Sequence, residues 1–189
     1  MAEYALTAKT PLAGFAQDTG AVRMAEVTDR VLMSLACPSG GAAELDAVAQ
    51  ALWQCALPPV GTSVLNDEGV RLLGLQPDQW WVLAAATEGA SPLGPWREQL
   101  GAVAHMTDQS DAWVMLRVSG AQSRKALERI CMLDLHPANF GPGKASRTLM
   151  EHLGVVLCCE AEGQYLLLGA RSSADSLLHA LQVSARHIA

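Results

Sequence analysis

From residue 70 onward the apolar residues change period repeatedly, and this alternation limits the folds open to the 189-residue chain more than any other feature. Residues 70–75 and 80–84 are short apolar runs on either side of Gln76-Pro77-Asp78-Gln79. Proline presets φ and aspartate tolerates a turn, so a hairpin is expected there. Leu93, Trp96, Leu100 and Val103 recur at helical spacing behind Ser91-Pro92, where a proline at the first helical position loses no needed donor. Residues 113–118 read as a strand that runs into Ser119, predicted to cap a helix with Gln122 as the reciprocal group. Ala126, Leu127, Ile130 and Cys131 supply that helix's buried face. Residues 155–159 and 165–168 are a second strand pair around the polar tip Glu160-Ala161-Glu162-Gly163. Ser172 and Asp175 repeat the capping spacing ahead of the stripe Leu177, Leu178 and Leu181.

The order is therefore strand, strand, helix, strand, helix, strand, strand, helix, in two nearly equal halves. It predicts an α+β fold: largely antiparallel sheets with helices on one face, in split βαβ repeats. Upstream, residues 1–43 read as an N-terminal arm and strands packed on a main domain of residues 44–189. Thr10-Pro11-Leu12-Ala13-Gly14 and Asp18-Thr19-Gly20 are turns, and residues 22–36 are one strand-like stretch that Cys37-Pro38-Ser39-Gly40-Gly41 stops. Leu45, Val48, Ala49 and Leu52 then form an amphipathic helix that ends before Pro58-Pro59. Residues 133–144, with Pro137 and Pro142, are an irregular crossing segment.

Half the residues are apolar, 17% are charged, and the formal charge is −6. Such a chain folds, and it has no general attraction for nucleic acid or an anionic bilayer. No apolar run approaches the roughly twenty residues that cross a membrane. The five cysteines, Cys37, Cys55, Cys131, Cys158 and Cys159, are odd in number and no secretory segment precedes them. A reducing, cytoplasmic location is expected.

The residue types that carry chemistry do not converge in sequence. Cys158 and Cys159 point to opposite faces of a strand, and His105, His136, His152, His179 and His187 lack the spacing of a zinc motif. Ser119 has no nucleophile elbow around it, and nothing marks Cys131 for a lowered pKa. Gly141-Pro142-Gly143-Lys144 lacks the longer glycine spacing and following hydroxyl of a phosphate loop, so it is expected to be a tight bend. Glu160 and Glu162 sit on a solvated tip, and Asp108, Asp111 and Asp134 have no neighbouring base. Lys144 and Arg147 face either solvent or an acidic partner. No catalytic, cofactor-binding or metal residue is assigned. Trp53, Trp80, Trp81, Trp96 and Trp113 outnumber the other aromatics. Trp80 and Trp81 must point opposite ways on a strand, one into the core and the other under a helix, the arm or another protein.

Residues 70–83 and 111–120 resemble the leucine, glycine, proline, aspartate and aromatic pattern of aminomethyltransferase-like folate-binding domains. Residues 126–137, ending Leu133-Asp134-Leu135-His136-Pro137, and residues 140–148, beginning Phe140-Gly141-Pro142-Gly143-Lys144, resemble the gamma subunits of heterotetrameric sarcosine oxidase. The resemblance covers residues 60–185. It implies a non-catalytic structural subunit of a flavoprotein complex that demethylates sarcosine oxidatively to glycine. In that reaction hydrogen peroxide forms and the one-carbon unit passes to tetrahydrofolate. It implies alpha, beta and delta subunits as partners, alpha most directly. FAD, FMN, NAD and zinc would lie in those other subunits. It does not extend folate binding to Asp78, because the chain lacks the further domains that close a folate pocket. A stand-alone folate-binding one-carbon enzyme is the alternative, and a regulatory module detached from sarcosine metabolism is the third.

Overall fold

The computed structural model describes residues 7–86 and 93–188. Two antiparallel sheets form. Strands β1 (Ala16–Asp18), β2 (Arg23–Glu26) and β3 (Arg30–Ala36) precede helix α1 (Ala42–Trp53), followed by β4 (Thr62–Leu65), β5 (Arg71–Gln76), β6 (Gln79–Ala85) and α2 (Leu93–Leu100). The second half runs β7 (His105–Asp108), β8 (Trp113–Ser119), α3 (Ser123–Glu128), β9 (Ala145–Met150), β10 (Leu153–Ala161), β11 (Gln164–Ala170), and α4 (Ala174–Arg186) after a short 3-10 turn. One sheet has six strands in the order β1-β2-β8-β11-β10-β9, and the other has five in the order β4-β5-β6-β3-β7.

Alternation along each strand explains why the sheets stack. On β8, Val114, Leu116 and Val118 enter one core with Leu127, Leu177 and Leu181 from α3 and α4, while Trp113 and Met115 face the other way. On β3, Met33 and Leu35 meet Leu45, Ala49 and Trp53 of α1, while Leu32 turns to the opposite side. The opposite sides meet: Leu32, Leu73, Trp81 and Leu83 of one sheet pack on Met115, Val156, Leu166 and Leu168 of the other. The result is four layers, helices, sheet, sheet and helices, and each sheet has its helices on one face. The sheets also touch at a corner, where Thr62 bridges Lys144.

The hairpin of β5 and β6 forms as the sequence predicts, with Asp78 at φ +57° in the turn and Gln76 opposite Gln79. The single strand expected over residues 22–36 is two strands in different sheets. It breaks at Val27, whose N–H donates to the Met115 carbonyl, so the chain passes from beside β8 to beside β6. Residues of the expected arm thus contribute strands to both sheets.

Both predicted serine caps need correction. Ser119 is the last residue of β8, paired with Arg23 and Gln164, and the helix starts four residues later with Gln122 in the capping position and no side-chain cap. Ser123 ties the junction instead, its hydroxyl donating to the Gly163 carbonyl at 2.9 Å. Ser172 lies inside the 3-10 turn, so α4 starts too late for it to cap, and Ser173 takes the position without a side-chain bond. Asp175 still lies in the first turn, where a negative charge complements the helix dipole. The start expected at Ser91-Pro92 lies outside the described residues, and Leu93 and Leu100 of α2 are buried as the stripe predicts.

Candidate functional site

The crossing segment that carries the distinctive sequence is anchored at two apolar points. Leu135 and Phe140 are buried in the core under α3 and α4. Asp134, just before Leu135, organises the loop between them: Oδ1 accepts the His136 N–H at 2.9 Å and Oδ2 accepts the Asn139 side-chain amide at 2.5 Å. These bonds hold the Asp134 carboxyl below its ordinary value of 3.8, the His136 N–H bond first and Asn139 second. A depressed carboxylate pKa contributes order that is present above pH 3.8 and lost as pH falls through the lower folded value. Acidification should therefore lower the protection of the His136 amide, measured against its intrinsic exchange rate at each pH, before the sheets lose theirs, and Asp134→Ala should give the same loss of protection at neutral pH.

Gly141-Pro142-Gly143-Lys144 is a bend. The Gly143 N–H donates to the Cys159 carbonyl, the Lys144 N–H to the Gly141 carbonyl, and the Lys144 carbonyl accepts the Cys159 N–H. Gly143 has φ +82°, a backbone state that glycine adopts without strain. These donors are spent on the chain itself, so no phosphate cradle forms.

Two cavities open beside this framework. One of about 580 Å³ lies between the β1–β2 turn, the β10–β11 tip and the crossing segment, with Arg23, Arg124, Phe140, Pro142, Glu162 and Tyr165 in its lining. The other, about 370 Å³, lies at the polar end of the layer between the sheets and brings together Arg30, Arg71, Arg117, Glu160 and Gln164. Glu160 is shared: Oε2 accepts from Arg117 Nε at 2.8 Å, and Oε1 lies 3.5 Å from Arg71 Nη2. Arg71 is 9% exposed, with Nη1 3.4 Å from Ser63 Oγ and 3.9 Å from Cys158 Sγ.

The sequence placed Glu160 on a solvated tip, yet its side chain is 13% exposed because it closes this ion-pair group. The arginines escaped the sequence reading, although a period-two signal for them exists. Arg30 precedes Leu32, Arg71 precedes Leu73 and Leu75, Arg117 follows Met115, and Glu160 follows Val156 and Cys158. Each charge extends, in phase, a stripe that faces the other sheet.

The remaining candidates stay apart. Burial pushes the thiols of Cys37, Cys55, Cys131 and Cys158 up, and Cys159 is raised to about 11 by burial and then by Cys158 and Glu160. All five are protonated near neutrality and poor nucleophiles. Among the described residues no three His, Cys, Asp or Glu side chains converge on a point that could hold a metal ion, and no helix is long and apolar enough to cross a membrane. Asp108 serves a turn through the Ser110 N–H and hydroxyl, and Asp111 is exposed beside Arg171. Asp78 occupies its hairpin turn, with its main-chain carbonyl accepting the Cys37 N–H and its carboxylate 3.9 Å from the Cys37 thiol. Trp80 and Trp81 are both buried within the chain on opposite faces. Trp80 Nε1 donates to the Pro58 carbonyl at 2.9 Å, and Trp81 packs edge-on against Trp113 with Arg147 over its ring.

Stacked sheets with outer helices define the class as an α+β fold that resembles the aminomethyltransferase-like fold. The glycine cleavage system aminomethyltransferase T of Bartonella henselae superposes with a TM-score of 0.62 at 13% identity, over 82% of this chain and 44% of that one. Within that class the particular family is shown by sequence. The model of the sarcosine oxidase, gamma subunit family matches residues 39–186, and the chain belongs to that family. The sarcosine oxidase gamma subunit of Corynebacterium sp. strain P-1 is 32% identical over 75% of this chain and 68% of its own length. That of an Arthrobacter species is 30% identical over 79% and 72%. A chain of the heterotetrameric sarcosine oxidase of Corynebacterium sp. U-96, solved in complex with pyrrole 2-carboxylate, superposes with a TM-score of 0.78 at 25% identity over 94% of both chains. The chain is thus of the type that serves as a subunit of a multi-subunit oxidoreductase, sarcosine oxidase.

Proposed function

We propose that this chain is a structural, non-catalytic subunit of a heterotetrameric sarcosine oxidase, in contact with alpha, beta and delta subunits and most directly with alpha. The complex takes sarcosine, oxygen and tetrahydrofolate to glycine, hydrogen peroxide and methylene-tetrahydrofolate. FAD, FMN, NAD and zinc reside in the other subunits, and the assembly is cytoplasmic. The observation that carries this reading is the superposition, over nearly the full length of both chains, on a chain of a heterotetrameric enzyme. Native mass spectrometry of the untagged protein tests it. Recovery with three companions that hold the flavins supports the reading, and recovery as a free monomer that binds tetrahydrofolate one to one replaces it with the stand-alone enzyme.

The contact with alpha runs through residues 133–148, which extend the crossing segment into β9, and the N-terminal arm. Met132 is 75% exposed and Leu149 43% exposed, and they lie side by side where the Met132 N–H donates to the Leu149 carbonyl. Val60, also exposed, adjoins Gly61, whose carbonyl accepts the Ala145 N–H. Apolar side chains at both ends of one loop suit a protein interface better than water. Met132→Glu with Leu149→Glu is expected to leave the chain's own stability within about 0.5 kcal/mol of wild type, as exposed substitutions do. Assembly should weaken at least about tenfold, since charged groups would be desolvated in the contact. Amide exchange over residues 133–148 should slow on assembly, and unchanged exchange there would remove this face from the interface.

A further inference from the structure

The chain is acidic, with 19 Asp and Glu against 13 Lys and Arg, yet three guanidiniums and one carboxylate line the cleft at the polar end of the inter-sheet layer. We propose that this cleft binds a short aliphatic dicarboxylate, held at its ends by Arg30, Arg71 and Arg117 with its carbon chain against Val27, Leu65, Leu83 and Leu166.

Charge is the first ground. Glu160 offers one negative charge to Arg71 and Arg117 together, and Arg30 adds a third cation at the rim. The nearest other carboxylate to Arg30 is Asp29 at 3.8 Å, whose side chain is well exposed, and Arg30 Nη1 otherwise donates to the Gly69 carbonyl at 3.1 Å. The lining residues therefore carry an excess of two positive charges, which Asp29 at the rim reduces toward one, and low-dielectric walls concentrate that field on an anion.

The second ground is the state of Arg71. A guanidinium presents five N–H donors, and a buried one needs them satisfied. The contacts of Arg71 with Glu160, Ser63 and Cys158 lie at 3.5, 3.4 and 3.9 Å, long for charge-assisted bonds. An entering carboxylate would accept from the fork at shorter range and relieve the cost of keeping the cation between two sheets.

The third ground is shape and lining. About 370 Å³ falls in the range of small-molecule sites. The apolar side chains in the lining include Leu65, which is 53% exposed at the mouth. Inorganic phosphate would meet the guanidiniums and leave this wall against water, and a monocarboxylate would use the wall and only part of the charge. Two carboxylates joined by a few methylenes use both.

Titration calorimetry and thermal unfolding of the purified full chain, alone and in the complex with which it purifies, test the proposal with succinate, glutarate, butyrate and phosphate. Succinate or glutarate should bind one to one, raise the unfolding temperature in proportion to the logarithm of its concentration, and weaken as sodium chloride is added. Butyrate and phosphate should bind at least about tenfold more weakly, the scale of one charged hydrogen bond. Arg117→Gln and Arg30→Gln, at partly exposed positions that need not disturb the core, should each weaken the dicarboxylate by about tenfold. Glu160→Gln should bind it more tightly than wild type, because the competing carboxylate is gone, which a purely structural role of Glu160 would not produce. The proposal is overturned by the absence of saturable binding, by equal binding of butyrate or phosphate, or by unchanged affinity in both arginine variants. Binding to the free chain and not to the complex would also overturn it, since a carboxylate of a partner subunit would then fill the cleft.

Discussion

Trp81→Ala is expected to destabilise the protein by about 4 kcal/mol, within the range of buried tryptophan truncations. At roughly 2–4 °C per kcal/mol for a chain of this size, the unfolding temperature should fall by about 8–16 °C. The indole lies where the two sheets are pressed together, in one cluster with Leu32, Leu73, Leu83, Val156 and Leu166. Its ring centroid is 4.6 Å from that of Trp113 at an interplanar angle of 67°, the edge-on geometry that adds about 1 kcal/mol beyond burial. On its other side Arg147 sits 4.8 Å from the ring centroid, and partial burial lowers the pKa of that guanidinium. Truncation would remove support from β8 and β9 of the facing sheet and leave a void between the two sheets. Trp81→Phe should cost roughly 1–2 kcal/mol, because most of the volume remains. A double-mutant cycle with Trp113→Ala should return a coupling of about 1 kcal/mol. If Trp81→Ala lowered the unfolding temperature by no more than an exposed substitution does, the inter-sheet layer would not be a packed core.

The elements that could be read in the sequence are the most deeply buried ones. The β5–β6 hairpin and β8 are near-continuous apolar runs buried on both faces, and α1, α3 and α4 place apolar residues at helical spacing against a core. The four strands with no such signature are β1, β4, β7 and β9, and these are the edges of the two sheets. Ala16–Asp18 and His105–Asp108 are short and largely exposed, and Ala145–Met150 carries Ser146, Arg147 and Thr148. Edge strands are short and polar because their open side must not recruit other chains, so they lose the alternation by which a strand is recognised. Without the edges, the division into two sheets is hidden, and residues 22–36 look like one strand.

The site was less legible for a related reason. The crossing segment stands out through its own residues, Asp134, His136, Pro137 and the glycine bend, so its irregular course could be anticipated. The arginine cleft is assembled from β3, β5, β8 and β10, far apart in sequence, and appears only once the sheets are stacked. Arg71 is the instructive case. Inside Val70-Arg71-Leu72-Leu73 a charge in an apolar strand looks like an outward residue, but Leu73 and Leu75 share its face and that face turns inward. The tryptophan pair required cover on both faces of one strand, and the sequence left open whether a helix, the arm or another protein supplies it; stacked sheets with helices outside provide an interior on both faces of β6.

Gly74→Ala should cost about 3 kcal/mol, at the upper end of overpacking in a well-filled interior, although it adds a single methyl group. Gly74 lies in β5 between Thr62 of β4 and Trp80 of β6. A Cβ there would stand 2.4 Å from the Pro59 carbonyl oxygen and 2.5 Å from that of Pro58, both backbone atoms. The backbone that would have to move is fixed four times over. Pro58 O accepts Trp80 Nε1, Pro59 O accepts the Thr62 N–H and hydroxyl, and the Gly61 N–H donates to the Gly74 carbonyl. Two prolines in succession add stiffness because each fixes φ. Relief of the clash would therefore break the Trp80 indole bond or the start of β4, and the Thr62–Lys144 bridge that joins the sheets would go with it. Gly154 in β10 is the control, since a Cβ there meets nothing within 4 Å, so Gly154→Ala should change stability by no more than about 1 kcal/mol. Thermal unfolding of the two variants side by side decides the matter. A drop of about 6–12 °C for Gly74→Ala with little change for Gly154→Ala would show that close backbone approach, and not loss of glycine's flexibility, fixes residue 74. Equal shifts would mean that the Pro58-Pro59 segment yields, and the approach at Gly74 would then carry none of the stability assigned to it.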